Sequence, residues 1–178
     1  INDEATRVKS PMMREEDVSQ DAGGLKDCDW DDAIARVISE IKNYKGDEIA
    51  FIASAYSTLE DNFVLQRFAK EIVGSDNIAY IPHIEGEYDK LLLRADKTPN
   101  ANGLKLLGIE PINGKFIDKI LNKQFKMVYI MNDSLGRLER TEEIAKSIEI
   151  AVLHISNFYE QSHKATVVLP SATYAEIN

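Results

Sequence analysis

The sequence predicts an α/β protein: a doubly wound, mainly parallel five-stranded sheet with helices on both faces. Three observations lead there. Residues 48–54, 127–131 and 166–169 are short, near-continuous apolar runs, the pattern of strands buried on both faces rather than one. Segments with apolar residues at helical spacing separate such runs, so strands alternate with crossovers. The last run is stopped by Pro170, which cannot continue a central ladder.

Each element follows in chain order. Residues 1–27 are polar and without period, and read as an extended arm; residues 28–178 then form a single α/β domain with an irregular insertion at about 83–112. Asp29 caps the first helix, and Asp31 and Asp32 complement the positive end of its dipole. Trp30, Ala33, Ile34, Val37, Ile38 and Ile41 recur at helical spacing as one buried stripe, and Gly46 ends it. After the first strand at 48–54, Ser57 with Glu60 three positions on is a capping-box signature. Leu59, Phe63, Val64, Phe68, Ala69, Ile72 and Val73 then form the inner face of the second helix, and Gly74 stands where a terminating glycine belongs.

A second strand spans 78–81, stopped by Pro82. Within the insertion, residues 91–93 and 104–107 read as short helical pieces; so long an excursion in a compact domain points to function or an interface. Asn113 caps a short helix running to Leu121, with Phe116, Ile117, Ile120 and Leu121 inward. The third strand is 127–131, a helix follows at about 138–149, the fourth strand is 150–155, a helical turn spans 158–163, and the fifth strand is 166–169.

Composition narrows the function classes. The apolar share is 44% and the charged share 29%, as in a globular protein, and no apolar run approaches the roughly 20 residues of a membrane-spanning helix. Net charge is −9 with no basic face, which argues against a nucleic-acid partner. The single cysteine, Cys28, excludes an internal disulfide and a cluster that needs about four thiolates. Flanked by Asp27 and Asp29, it is an inert thiol. His83, His154 and His163 lack metal-ligand spacing and read as packing or surface residues.

In an open α/β sheet, ligands bind beyond the carboxyl ends of the strands. Three loops leave such ends: 54–58, 132–136 and 156–159. The first gathers Ser54, Tyr56, Ser57 and Thr58 at a helix start, a place suited to a phosphate, although capping by Ser57 accounts for the same residue types. No glycine-rich dinucleotide fingerprint, Walker loop or Gly-x-Ser-x-Gly elbow occurs. Glu60-Asp61 and Glu142-Glu143 are paired acids that suit dipoles or solvent better than acid–base work. Asp133 is a candidate acceptor or metal ligand without a partner acid, so no catalytic constellation is predicted.

Several motifs carry a resemblance. Arg7 through Arg14 (Arg-Val-Lys-Ser-Pro-Met-Met-Arg), the helix start Asp29-Trp30-Asp31-Asp32-Ala33, the set Thr58, Glu60, Gly74 and Asn77, and the terminal Ala165-Thr166-Val167-Val168-Leu169-Pro170-Ser171-Ala172 with Glu176 resemble, in this order, molybdopterin oxidoreductases. Residues 99–103 (Pro-Asn-Ala-Asn-Gly) and Leu107-Gly108-Ile109 look most like the large iron–sulfur subunit of NADH:quinone oxidoreductase (NADH dehydrogenase I). That family continues beyond the terminal motif, so the resemblance implies a piece of a larger subunit. It also implies that Ser54, Tyr56, Ser57, Thr58, Glu60, Asn132, Asp133 and Ser134 stand at the pterin pocket. Family members that hold molybdenum usually present Gly-x-Asn-Pro where this chain has Asn132, Asp133, Ser134 and Leu135, and a Thr-Glu-Thr loop where it has Tyr159, Glu160 and Gln161. A vestigial pocket is therefore expected.

What the resemblance implies for function is an interaction scaffold. The segment would hold no cofactor or metal and no catalytic residue, within a respiratory subunit whose iron–sulfur clusters lie in other parts. Its partners would be the remainder of its own subunit and other NADH dehydrogenase subunits, at the cytoplasmic side of the inner membrane without insertion. Two alternatives stand beside it: a fragment of a true molybdenum or tungsten oxidoreductase such as a formate dehydrogenase, binding molybdopterin guanine dinucleotide, and a free-standing nucleotide- or flavin-binding α/β domain.

Overall fold

Every residue of Ile49–Ala53 is buried, so this strand needs cover on both faces, and the rest of the chain supplies it. The computed structural model describes residues 5–15, 24–83, 85–92, 94–173 and 176. Its strands are β1 (Met12–Arg14), β2 (Leu25–Asp27), β3 (Ile49–Ala53), β4 (Ile78–Tyr80), β5 (Glu110–Pro111), β6 (Met127–Met131), β7 (Ile150–Ile155) and β8 (Val167–Pro170). The helices are α1 (Trp30–Asn43), α2 (Leu59–Arg67), α3 (Ala101–Leu106), α4 (Gly114–Leu121) and α5 (Thr141–Ser147).

The strands form one eight-stranded sheet in the order β2-β1-β8-β7-β6-β3-β4-β5. From β8 to β5 all neighbours are parallel, while β1 pairs antiparallel with both β2 and β8. The α/β, mostly parallel sheet is as the sequence predicts, but five strands was an undercount. The two-residue β5 is too short to leave a pattern, and the arm adds β1 and β2 instead of lying outside the sheet. A buried Arg14 explains the docking: its guanidinium donates to the carbonyls of Ala165 (3.1 and 3.0 Å) and His163, tying the arm to the turn before β8. Residues 16–23 of the arm lie outside the described residues, as do Ile84 and Leu93 of the insertion and Tyr174, Ala175, Ile177 and Asn178 at the terminus.

The chain winds outward from β3 to β4 and β5, returns to β6 beside β3, and winds the other way to β7 and β8. Right-handed crossovers put α1 and α2 on one face and α4 and α5 on the other. Two apolar clusters sit accordingly: Phe51, Met127 and Val152 with α1 and α2, and Ile52, Val128, Ile130 and Leu153 with α4 and α5. The direction changes between β3 and β6, so the switch point lies at their carboxyl ends.

The helices start where predicted, with informative shifts. Asp29 caps α1 by accepting from the Asp32 N–H (2.8 Å), and Asn113 caps α4 by accepting from Phe116 (3.1 Å). The second capping box is Thr58 with Asp61, one residue beyond the predicted Ser57 and Glu60, because the Ser57 side chain turns into the protein. Arg140, at φ 63°, breaks the chain between a short 3-10 turn and α5, so that helix spans less than the predicted 138–149. The helical turn predicted at 158–163 is a 3-10 turn at Glu160–Lys164.

The buried stripes are corrected more deeply. On α1 only Ala33 and Val37 of the predicted stripe are buried, while Trp30, Ile34 and Ile38 are about half exposed. On α2 the inward positions are Asn62, Leu65 and Ala69, and Leu59, Phe63, Val64 and Ile72 face outward. Asn62 rotates the helix because its amide is needed inside, as described below. Residues Phe68–Val73 continue as a π-helix to Gly74, whose φ of 75° is the left-handed conformation expected of a terminating glycine.

Gly46 does not terminate α1, which ends at Asn43; it begins a 3-10 turn packed against the end of the π-helix. A Cβ there would lie 2.1 Å from the Gly74 carbonyl oxygen. Since that contact is with backbone, Gly46→Ala is expected to destabilise the chain by about 1–3 kcal/mol. Urea unfolding monitored by circular dichroism measures this, and an unchanged midpoint would refute the close approach.

Candidate functional site

Loops 54–58 and 132–136 face each other across the switch point, as the sequence predicts for the carboxyl ends of β3 and β6. The first is held from below by Asn62. Its amide oxygen accepts from the Ser54 N–H (3.1 Å), and its amide nitrogen donates to the carbonyls of Ser54 (2.9 Å) and Thr58 (2.8 Å). A fully buried amide making three such bonds fixes the loop rather than the surface of the helix.

Asn132 closes the seam. It sits at φ 45°, a left-handed conformation that asparagine tolerates better than most side chains. Its backbone carbonyl accepts from Ser54 Oγ (2.8 Å). Its side-chain nitrogen donates to Ser57 Oγ (3.2 Å), and its side-chain oxygen accepts from Ser171 Oγ, just beyond β8. One side chain therefore bridges the β3 loop to the segment after β8. The Ser57 carbonyl is also used, accepting from Asn100 Nδ2 (3.1 Å) at the start of α3.

Beside the seam lies a groove of about 250 Å³ lined by Asn132, Asp133, Ser134, Arg137 and residues 155–159. Asp133 is buried at its floor; Oδ1 accepts from the Ser134 N–H (2.6 Å) and pairs with Arg137, while Oδ2 has no partner among the described residues. Burial raises its pKa from an ordinary 3.8 to about 6, against the opposing pull of Arg137 and the Ser134 amide. The Arg137 guanidinium stacks over the Tyr56 ring (5.3 Å to its centre), and Tyr56 in turn meets His83 edge-on. Burial and the Asp133 charge push the Tyr159 phenol upward, so it stays protonated. This arrangement offers a buried carboxylate, a guanidinium and a phenol, but no nucleophile–base pair.

The structure brings together seven of the eight expected site residues: Ser54, Tyr56, Ser57, Thr58, Asn132, Asp133 and Ser134 flank the switch point. Glu60 is not among them. It points from α2 into a different cavity, beside Val64 and Phe68. The sequence reading missed Asn62, Arg137 and the bonding role of Ser171. Asn62 was detectable as a polar residue in register with Leu65 and Ala69 on the inward stripe. Cys28 carries a pKa raised by burial and then by Asp32, Asp29 and Asp27, which keeps it a thiol. Among the described residues no group of three or more His, Cys, Asp or Glu is placed to hold a metal, and no helix is long and apolar enough to cross a membrane.

Comparison with known proteins identifies the family of the N-terminal half of the chain. Residues 7–102 match the family model for molybdopterin oxidoreductase. Among similar curated proteins, F420-dependent formate dehydrogenase 1 subunit alpha of Methanococcus maripaludis is 33% identical over 72 residues, 40% of this chain and 10% of that protein. Its counterpart from Methanocaldococcus jannaschii, F420-dependent formate dehydrogenase subunit alpha, is 35% identical over 72 residues, with the same shares. Formate dehydrogenase H of Escherichia coli is 36% identical over 77 residues, again 40% and 10%. The matched stretch thus corresponds to a tenth of the length of these relatives.

The seam and the groove each yield a measurable consequence. Alanine at 132 would lose both side-chain bonds and suffer in the left-handed region, so Asn132→Ala is expected to cost about 2 kcal/mol and Asn132→Gly about 1 kcal/mol less. Equal losses in denaturant titration would contradict the conformational argument. For Asp133 the folded pKa lies above the unfolded one, so its contribution is fully present below about pH 4 and is lost as pH rises through about 6. Asp133→Asn therefore gains on the wild type by about 2 kcal/mol between pH 4 and pH 8. Urea unfolding of both proteins at the two pH values checks it, and a pH-independent difference would refute it.

Proposed function

This chain belongs to the molybdopterin oxidoreductase family, and from that premise we propose that it is a structural segment of a formate dehydrogenase-like large subunit. The parent is proposed from the relatives' names, which support it better than the respiratory subunit suggested by the sequence motifs. The role of the segment is proposed from one observation, the Asn132 bridge across the switch point.

The family implies a pterin dinucleotide, and the residues at this seam do not fit one. A phosphate approaching the β3 loop would meet the Asn132 side chain, and the Arg137 guanidinium in the groove beside it is already paired with the buried Asp133 carboxylate. The segment then contributes architecture and contact surface, while any electron-carrying group is held by other parts of the protein. Partners in this reading are the remainder of its own subunit and neighbouring subunits.

A second reading places the same scaffold in the large subunit of an NADH:quinone oxidoreductase. It is favoured by the departure at 132–135, where asparagine replaces the family's usual glycine and its side chain fills the seam.

The full-length subunit separates these readings. The first predicts formate-dependent dye reduction and stoichiometric pterin fluorescence after acid oxidation, both unchanged by Ser57→Ala or Asn132→Gly. The second predicts no pterin and no formate oxidation. Loss of bound pterin on either substitution would overturn the structural role of this segment under both.

A further inference from the structure

Three loops of the switch-point edge meet at the Arg137 guanidinium. It pairs with Asp133 Oδ1 in the loop after β6, donates to the Ile81 carbonyl beyond β4 (3.4 Å), and lies over the Tyr56 ring in the loop after β3 (5.3 Å to its centre). Tyr56 passes the contact on to His83, edge-on at 5.2 Å between ring centres. One side chain thus holds together the loops leaving β3, β4 and β6, and Asp133 fixes that side chain in place.

The hydrogen bonds at Asp133 suit a protonated carboxyl better than an ionised one. Its side chain is wholly buried, and both of its donors, the Ser134 N–H (2.6 Å) and Arg137, go to Oδ1. Among the described residues Oδ2 receives none, and Arg137 Nε, which could complete a two-pronged pair, is also buried without a partner. A carboxylate spreads its charge over both oxygens, so one of them would be left dry and unbonded here. A carboxylic acid instead has a carbonyl oxygen for the two donors and a hydroxyl at Oδ2. The same groove offers that hydroxyl an acceptor in the Tyr159 oxygen, likewise buried without a partner.

The surrounding charges do not reverse this preference. Arg137 faces Asp133 directly, yet burial outweighs its pull and that of the Ser134 amide, and raises the Asp133 pKa to about 6. Tyr159, on the loop after β7, is itself pushed up by burial and then by Asp133, and stays neutral. His83, at the far end of the contacts, is held below its ordinary value by burial and then by Arg137, with Asp96 opposing. Charged groups on the other packed elements are engaged elsewhere: Arg7 of the arm with Glu176, Lys164 of the 3-10 turn with Glu142, and Arg140 with Glu143.

We propose that Asp133 and Arg137 form a proton-operated clasp on the loops leaving β3, β4 and β6. With a proton on Oδ2, the Asp133 side chain stays buried and Arg137 stays seated on Tyr56 and the Ile81 carbonyl. When that proton is lost to water, the carboxylate is better solvated by turning out into the groove of about 250 Å³, and Arg137 leaves both contacts with it. Opening is least favourable below about pH 4 and becomes easier as pH rises through about 6. If the open form has the ordinary carboxyl pKa of 3.8, it gains about fiftyfold on the closed form between pH 4 and pH 8. The Asn132 seam does not take part, because its bonds join neutral hydroxyl, amide and carbonyl groups. The clasp is the same whichever large subunit the segment belongs to.

Amide hydrogen exchange of the 178-residue chain tests it, followed by NMR from pH 4 to pH 8 and corrected for the intrinsic pH dependence of exchange. The Ser134 N–H, bonded to Asp133, reads the clasp, and the Ser54 N–H, bonded to Asn62, reads the seam. The Ser134 opening constant is expected to rise about fiftyfold over this range and to exceed that of Ser54 at least tenfold at every pH. In Asp133→Asn the rise is expected to vanish. Tyr56→Leu, at a half-exposed position, is expected to raise Ser134 opening about threefold at both pH limits by removing the platform under Arg137. In the unaltered chain the Asp133 carboxyl carbon should titrate with a midpoint of about 6. Exchange of Ser134 no faster than Ser54, or an opening constant that is flat or falls with rising pH, would overturn the clasp. So would a rise that survives in Asp133→Asn, no response to Tyr56→Leu, or a carboxyl midpoint at the ordinary value.

Discussion

The burial of β3 on both faces governs this molecule. A strand reading Ile-Ala-Phe-Ile-Ala with no exposed position has to sit between two helical layers, and its parallel neighbours β4 and β6 can only be reached by crossovers that supply those layers. Fixing β3 in the middle with the chain leaving first to one side and then to the other creates a switch point where its loop meets that of β6. The hydroxyls at 54–58 and the polar run at 132–134 are brought together by that constraint alone. Asn132 then decides what the junction can do, because its side chain occupies the space that the topology opens.

The same constraint leaves an apolar slot of about 540 Å³ between α1 and α2. Both faces of β6 and β7 need cover, yet α1 lies over β8 and α2 beside β3, so Tyr129, Met131 and His154 are roofed only at the edges. The helices present apolar residues toward this gap that their own sheet does not bury. The fold thus combines a closed polar seam at the strand ends with an open apolar slot on the helix-covered face.

Much of this was legible from residues alone. Near-continuous apolar runs at 127–131 and 150–155 marked β6 and β7 to the residue, since doubly buried strands leave an unambiguous pattern. Asp29, Asn113 and Gly74 marked helix ends because capping is local chemistry. What stayed hidden was non-local. The arm's place in the sheet depends on Arg14 reaching carbonyls of residues 163 and 165, and nothing near Arg14 in sequence announces this. The inward face of α2 was misjudged because hydrophobicity favours Phe63 and Val64, whereas Asn62 wins the inner position through three hydrogen bonds to a loop. At the site, residue types located the facing loops, but only geometry showed Asn132 spanning them.

Native-state hydrogen exchange of the 178-residue chain tests the closed junction most directly. The amides of Ser54, bonded to Asn62, of Tyr56, bonded to Ser54 Oγ, and of Asn132, bonded to the His154 carbonyl, should exchange together with those of β3. If they instead exchange at the rate of exposed loops while β3 stays protected, the junction is open in solution and Asn132 does not seal it.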